Sequence, residues 1–166
     1  AVVGDGDSLS EELKQRYAHI YHPISEQEFN DLTKATLFAR SHLKMDASTH
    51  MRSRFCYLGA TGKREDHTLG NISLMLYYHR QLGIDPVMIT DYGYFVVASG
   101  TTRFDSFPGQ QVSIFNTTCK ELNSIGLKWD IYPFNELWQG TLNEALSNEF
   151  TIHADGDYLI YRTHKI

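Results

Sequence analysis

The sequence predicts an α/β half followed by an all-β half. Up to about residue 100, short apolar runs alternate with amphipathic helical stretches, a pattern typical of a mainly parallel sheet flanked by helices. From Tyr94 onward the helical period disappears, and closely spaced strand candidates favour an antiparallel sandwich or barrel. We therefore expect two domains, residues 1–100 and residues 101–166, with no flexible linker between them.

The elements of the first half are recognised by the spacing of their apolar residues and by the residues that end them. Leu69, Ile72 and Leu76 share one face of a long helix, and Gly83 ends it. In chain order we expect a strand end at 1–3, a short helix from Ser10, a helix that follows 25–29 and reaches Leu43, a strand at 54–58, a helix at 67–82 and a strand at 85–90.

The second half is punctuated by turn sequences such as Phe107-Pro108-Gly109 and Asp155-Gly156-Asp157. Between these turns, short apolar and β-branched runs predict strands. The expected strands are 94–98, 101–104, 111–115, 120–125, 128–132, 149–153 and 158–162.

Composition excludes several classes of protein. The net charge of −5 argues against a non-specific nucleic-acid binder, and no apolar run approaches the ~20 residues of a membrane span. Cys56 and Cys119 stand far apart, and we expect both to be reduced, buried thiols. The opening Ala1-Val2-Val3-Gly4 is too short and uncharged for a signal peptide, so we expect a cytoplasmic protein. Because it reads as the end of a strand, we also expect native residues ahead of Ala1.

Two carboxylates stand two residues apart directly after the first strand, in the run Gly4-Asp5-Gly6-Asp7-Ser8. At this spacing they point the same way, and the glycines let the backbone turn. Oxygen ligands so placed suit Mg²⁺, which usually takes one or two protein carboxylates together with phosphate oxygens and water. Aspartate and glycine are also common turn residues, so the run by itself also fits an ordinary turn.

The segment 27–34 places Asp31 and Lys34 one helical turn apart at the start of a helix. Taken alone, this pattern fits a helix N-cap with a surface ion pair. It also fits a carboxylate and a cation that face a ligand.

The third polar segment is the loop 59–67, between a strand and the long helix. Its glycines can present backbone N–H groups to an anion, and Lys63 and Arg64 add positive charge. The spacing is that of neither a Walker loop nor a dinucleotide fingerprint. Asp66 fits a metal ligand, a base or the N-cap of the helix.

The eight histidines do not predict a zinc site. His19 and His22 form the one close pair, and no cysteine or carboxylate completes a ligand set at zinc-like spacing.

In this order, the three segments resemble the motifs of the thiamine pyrophosphokinase family. The Gly-Asp-x-Asp-Ser motif stands at 4–8, Asp-x-Thr-Lys at 31–34, and Gly-Gly-Arg-x-Asp-His at 62–67, with Lys63 in place of the second glycine. The resemblance continues through nearly the whole chain, at Asn71, Ser113-Ile114-Phe115, Gly126-Leu127-Lys128-Trp129 and Ser147-Asn148-Glu149.

The resemblance implies transfer of the β,γ-pyrophosphoryl unit of ATP to the hydroxyethyl oxygen of thiamine, with release of AMP. Such a transfer requires neutralisation of phosphate charge and a hydroxyl held in line with the β-phosphorus. By resemblance, Asp5, Asp7 and Asp31 hold Mg²⁺ against the phosphates.

Further roles are implied by the same resemblance. Arg64 would stabilise charge on the phosphoryl oxygens, and Lys34 would assist it. Asp66 would position the cation or the attacking hydroxyl, and the identity of any general base stays open. Gln27 would lie near the bound nucleotide or thiamine.

Thiamine is a flat cation, which an aromatic platform and amide or hydroxyl donors suit. The resemblance implies that the β half binds thiamine across a homodimer interface, through Trp129, Ser147 and Asn148. On local grounds Trp129 fits a core or interface tryptophan equally well, and Ser147-Asn148 fits a plain turn.

Family members begin with a further strand and an Asp-Gly-Gly-type loop ahead of position 1. Two other interpretations of the chain stay open. One is a non-catalytic thiamine- or nucleotide-binding module. The other is a glycosyltransferase, which also uses an Asp-x-Asp pair but needs a longer chain and a sugar cleft.

Overall fold

The computed structural model describes residues 1–42 and 52–165. The chain divides into two compact units, Ala1–Met51 and Arg52–Ile166, which we describe in turn. The expected domain boundary near residue 100 stays a prediction.

The first unit is built around one pair of parallel strands. Strand β1 (Val2–Gly4) pairs with β2 (Tyr21–Pro23), and the helix α1 (Glu11–Arg16) lies between them in the chain. The Ser10 hydroxyl oxygen accepts the backbone N–H of Leu13 (3.3 Å) and caps α1.

Helix α2 (Asp31–His42) completes the first unit and contacts β1. Its first turn is capped by Asn30, whose side-chain oxygen accepts the backbone N–H of Thr33 (3.0 Å). Asp31 is therefore not the N-cap, and its carboxylate is available for other contacts. The predicted helix end at Leu43 lies outside the described residues.

The second unit contains two sheets and one long helix. Its elements, in chain order, are β3 (Arg54–Leu58), α3 (Glu65–Gln81), β4 (Asp85–Ile89), β5 (Gly93–Ser99), β6 (Thr102–Asp105), β7 (Gln111–Asn116), β8 (Leu122–Ile125), a 3₁₀ helix (Leu137–Gly140), β9 (Asn143–Glu144), β10 (Glu149–Ala154) and β11 (Asp157–Thr163).

The larger sheet has the strand order β3-β4-β5-β11-β7-β9, and the smaller one β6-β10-β8. Only β3 and β4 pair in parallel within this unit, and every other pair among the named strands of 52–165 is antiparallel. The two sheets share one hydrophobic core. Ile114 and Ile160 of the larger sheet and Phe150 and Ile152 of the smaller one are almost fully buried in it.

The prediction of a mixed α/β chain with several sheets is confirmed, but the finer description is not. The loop from β4 to β5 is short, and its Thr90 N–H donates to the Gly93 carbonyl oxygen (2.8 Å). A connection this short joins antiparallel strands, because a parallel crossover needs a dozen residues or more. One six-stranded sheet therefore contains strands from both predicted halves.

Residues 128–132, all of them described, form no strand, so that prediction is wrong. The physical reason is that the Trp129 backbone bonds to a side chain instead of a neighbouring strand (below). Two short strands, β2 and β9, were not predicted. Cys119 is buried as expected, whereas Cys56 is exposed in β3.

A polar network joins the end of α3 to the larger sheet. The buried His79 ring nitrogen Nε2 lies 3.0 Å from the Ser99 hydroxyl, which donates to Asp157 (2.5 Å). Arg80, next along the helix, pairs with the same Asp157 carboxylate (2.6 Å). Because Ser99 donates to the carboxylate, its oxygen accepts from a neutral His79. Burial lowers the pKa of His79, and the charge of Arg52 acts in the same direction.

We expect this network to make stability depend on pH. The folded pKa of His79 lies below its unfolded value of about 6.5, so its contribution is complete above that pH and is lost as the pH falls through the folded pKa. Urea unfolding at pH 7.5 and 5.5 measures the loss in the free energy of unfolding. A single titrating group can change this free energy by at most about 1.4 kcal/mol per pH unit. His79→Gln should reduce it, and His19→Gln, at an exposed histidine, should not. An equal loss in the His79 variant would contradict the assignment.

Candidate active site

The first unit brings together three of the predicted site residues. Lys34 Nζ lies 2.9 Å from Asp5 Oδ2 and 3.6 Å from Asp31 Oδ1. The backbone N–H of Asp5 also donates to Asp31 Oδ1 (3.4 Å). Residues 26 positions apart in the chain therefore meet around one ammonium group.

Gly4 allows this approach. Its backbone has φ +151°, and a Cβ atom there would stand 2.7 Å from Asp31 Oδ1, inside van der Waals contact. The first glycine of the run is therefore required by the position of the Asp31 carboxylate.

Both members of the central ion pair stay charged. The backbone N–H of Asp7, 3.1 Å from Asp5 Oδ1, lowers the pKa of Asp5, and Lys34 lowers it further. In turn, the hydrogen bond to Asp5 raises the pKa of Lys34, whose side chain is only 2% exposed.

The three predicted metal ligands differ in the contacts that their carboxylates make. Asp5 and Asp31 converge, whereas Asp7 contributes its backbone N–H and its side chain is exposed. Within residues 1–42 and 52–165, no three His, Cys, Asp or Glu side chains are close enough to hold a metal ion by themselves. Two converging carboxylates nevertheless fit the donor set of Mg²⁺, which takes its other oxygens from phosphate and water. Gln27 is exposed, and its amide donates to the Ser25 carbonyl oxygen (3.3 Å).

The loop between β3 and α3 forms a second candidate site, a cavity of about 320 Å³ at the start of the helix. Arg64, Lys63 and Asn71 line it. The Asn71 amide donates to the Ala60 carbonyl oxygen (2.8 Å) and so ties the loop to α3. Free N–H groups and the partial positive charge at the start of a helix favour an anion here.

Arg64 and Asp66 form a bidentate pair. Arg64 Nε and Nη2 lie 3.1 Å and 2.6 Å from the two Asp66 carboxylate oxygens. This pairing, followed by the backbone N–H of His67, lowers the pKa of Asp66. Arg64 occupies the N-cap position and makes no side-chain cap bond. An ionised carboxylate with a lowered pKa is a weak base, so the geometry favours Asp66 as the residue that orients Arg64.

The third candidate site is a cavity of about 310 Å³ beside Trp129. Trp129 is 52% exposed and shares the lining with Tyr132, Phe134 and Asp130. The Lys128 ammonium lies 4.8 Å from the centroid of the indole ring. Three aromatic rings beside a carboxylate suit a flat organic cation.

The buried amide of Asn143 sets the position of Trp129. Its Nδ2 donates to the Trp129 carbonyl oxygen (2.8 Å), and its Oδ1 accepts the Trp129 N–H (3.2 Å). These two bonds replace the strand pairing that was expected for 128–132. Sequence reasoning missed Asn143 because its partner is 14 residues away, whereas the neighbour Asp130 could have been noticed beside the tryptophan.

Ser147 and Asn148 do not line the Trp129 cavity in the described structure. The Ser106 hydroxyl donates to the Ser147 carbonyl oxygen (2.8 Å). The Ser106 backbone N–H donates to the Asn148 carbonyl oxygen (2.8 Å). The Ser147 hydroxyl bonds to the Glu149 carbonyl oxygen. Their predicted part in ligand binding therefore stays a prediction.

Two family models match the chain and together cover most of it. The thiamin pyrophosphokinase catalytic domain matches residues 1–85, and the thiamin pyrophosphokinase substrate-binding domain matches residues 93–161. The chain belongs to the thiamin pyrophosphokinase family. The predicted family and the predicted activity, pyrophosphate transfer to thiamine, are thereby confirmed. No curated protein matches the chain significantly.

Solved structures share the fold at low sequence identity. Thiamin pyrophosphokinase from Candida albicans is 18% identical with a TM-score of 0.80, over 98% of this chain and 72% of that one. The Bacillus subtilis enzyme is 19% identical with a TM-score of 0.73, over 99% and 78%. The yeast enzyme is 17% identical with a TM-score of 0.74, over 97% and 68%. At this identity the likeness concerns the fold alone.

We expect Asn143→Asp to disturb the Trp129 cavity. The substitution replaces the donor to the Trp129 carbonyl with a carboxylate oxygen, and it should lower the free energy of unfolding by about 1–3 kcal/mol. In a Trp138→Phe background, Trp129 is the remaining tryptophan, so the long-wavelength tryptophan bands of the near-ultraviolet circular dichroism spectrum report on it and should change. Asn148→Asp, at an exposed asparagine, is the matched control. Unchanged stability and an unchanged spectrum would show that the amide does not hold the tryptophan.

Proposed function

We propose that the chain transfers the pyrophosphoryl group of ATP to the hydroxyl oxygen of thiamine, giving thiamine pyrophosphate and AMP. Beyond family membership, the observation that carries this proposal is the meeting of Asp5, Asp31 and Lys34 directly after β1. Two converging carboxylates and a cation between them form a polar cluster suited to a metal–polyphosphate.

In this proposal Asp5, Asp7 and Asp31 hold Mg²⁺, which would supply neutralisation of the phosphate charge. Lys34 lowers the pKa of Asp5 and holds the carboxylates of Asp5 and Asp31 in place before the substrate arrives. Because these groups need not reorganise during the reaction, such preorganisation favours the charged transition state. Gln27, exposed ahead of α2, is assigned to the nucleotide or thiamine.

Arg64 is proposed to bind the phosphoryl oxygens, together with the N–H groups at the start of α3. A guanidinium presents paired N–H donors that match phosphate oxygens, and its charge stabilises them as charge develops. Asp66 keeps the Arg64 fork in one orientation. Lys63, at the position of a family glycine, adds a second cation to this cavity.

The Trp129 cavity is proposed to bind thiamine. The indole face and the Tyr132 ring stack on the flat rings of the substrate, and the Asp130 carboxylate compensates its positive charge. We further propose that the chain is a homodimer, in which Trp129, Ser147 and Asn148 serve the neighbouring subunit. In this scheme residues 1–100 are the catalytic domain, and 101–166 form the thiamine-binding and dimerisation domain, a β-sandwich.

The alternative of a non-catalytic binding module is not favoured, because the catalytic-domain family model matches residues 1–85. Among the described residues, no helix is long and apolar enough to cross a membrane. We propose a cytoplasmic location.

The test is turnover by the protein expressed from its complete reading frame, with thiamine, ATP and Mg²⁺. AMP and thiamine pyrophosphate should form in equal amounts. Asp7→Asn should lower kcat by at least ~100-fold, because it removes a proposed metal ligand but keeps the backbone N–H that bonds to Asp5. Asp91→Asn, at an exposed aspartate of the second unit, should retain activity. Saturable thiamine binding without AMP would favour the binding module, and near-normal turnover of the Asp7 variant would remove Asp7 from the metal site.

Trp129→Ala should raise the KM for thiamine by about tenfold or more and change the KM for ATP little, because the lost ring stacks on thiamine alone. Steady-state kinetics with each substrate varied in turn measures both constants. Trp138→Ala, which removes a tryptophan that is 73% exposed, is the control and should change neither. An equal rise of both constants would indicate structural damage.

A further inference from the structure

Arg162, near the end of β11, occupies an unusual position for a charged side chain. Its guanidinium carbon lies 4.9 Å from the centroid of the Tyr94 ring and 5.0 Å from that of Phe104. One terminal nitrogen, Nη1, donates to the Asp105 carbonyl oxygen (2.6 Å). The two rings and this bond hold the guanidinium in one place.

The charge of the neighbouring Asp105 acts to raise the pKa of this cation, but no carboxylate of the described residues bonds to it directly. Within residues 1–42 and 52–165, Arg162 forms no ion pair, and its buried Nε–H has no acceptor. Burial lowers the pKa of Arg162, as expected for a charge that is poorly compensated. Four other arginines of the same unit pair with a carboxylate, Arg54 with Asp85, Arg64 with Asp66, Arg80 with Asp157 and Arg103 with Glu149, whereas Arg52 donates to the His79 carbonyl oxygen.

Arg162 lines a cavity of about 380 Å³ in which positive charge is in excess. Arg54 and Arg103 also line it, and the single carboxylate in its lining, Asp85, already accepts two bonds from Arg54 (3.2 and 3.1 Å). Arg103 is paired with Glu149, so the positive charge of this lining that has no ion-pair partner among the described residues is that of Arg162. An anion in the cavity would compensate this charge.

We propose that this cavity binds a small organic oxyanion, a phosphate or a carboxylate, with Arg162 as its anchor and Arg54 and Arg103 at its rim. Guanidinium groups bind both oxyanions through paired N–H donors. The Tyr94 ring and the valine side chains of the lining suit an apolar or aromatic part of the ligand. The volume is near the lower end for small-molecule sites, so the ligand is compact. No residue of this lining belongs to the Trp129 cavity or to the β3–α3 loop cavity.

The experiment uses inorganic phosphate, phenyl phosphate and benzoate as probes, at constant ionic strength set with sodium chloride. The protein carries Arg64→Met, so that anions bound in the loop cavity do not contribute. Chemical-shift titration of the ¹⁵N-labelled protein should show saturable changes at Tyr94, Arg103 and Arg162. The ring-bearing probes should bind more tightly than inorganic phosphate, since they also fill the apolar part. If inorganic phosphate binds as tightly as they do, the site serves the free anion instead, and the proposal of an organic ligand is overturned.

Substitutions in the lining decide whether the cavity is responsible. Arg162→Met should weaken binding of phenyl phosphate by about tenfold or more, and Arg162→Lys, which keeps the charge but loses the fork, by less. Arg54→Gln and Arg103→Gln change exposed side chains and should each weaken binding about threefold, which keeps the test valid if the Arg162 variants do not fold. Arg40→Gln is the exposed control and should have no effect. Binding that none of the lining substitutions weakens, or no saturable change up to ~50 mM probe, would overturn the proposal.

Discussion

The antiparallel pairing of β11 with both β5 and β7 is the interaction on which the rest of residues 52–165 depends. Through β11, the strands β3, β4 and β5 form one sheet with β7 and β9. This sheet therefore contains residues from both family-model matches, 1–85 and 93–161. Tyr158 and Ile160 on its inner face are fully buried in the core that the two sheets share. At its first residue, Asp157 binds Ser99 and Arg80 and thereby fixes α3. Strand β11 therefore helps to determine the position of α3, the helix that follows the loop containing Arg64.

In the first unit, the corresponding constraint is the burial of the Lys34 ammonium. A cation withdrawn from water in this way needs carboxylates beside it, because its desolvation would otherwise be uncompensated. Asp5 and Asp31 meet this requirement, and their approach in turn requires a glycine at position 4. In the function that we propose, the same electrostatic condition also holds these carboxylates ready for a metal–phosphate ligand.

In the second unit, the amides of Asn143 and Asn71 hold the loops of the candidate sites where regular strand pairing is absent. Asn143 binds both backbone groups of Trp129, and Asn71 binds the carbonyl oxygen of Ala60 in the β3–α3 loop. An amide offers a donor and an acceptor together, so a single side chain can replace a strand partner. This leaves the indole ring of Trp129 exposed toward its cavity while its backbone is held as firmly as in a sheet.

The sequence by itself determined most of the elements of this protein, together with its family and its activity. The strand at 54–58, the long helix before Gly83 and the order of the acidic and basic motifs were readable because local pattern and turn residues are set by neighbours in the chain. Tertiary structure alone decided which groups meet. The pairing of β4 with β5, the contact of Lys34 with Asp5, the Asn143 amide at Trp129 and the unmatched charge of Arg162 all depend on long-range contacts. Local periodicity carries no information about such contacts, because their energies arise only when distant segments are desolvated together.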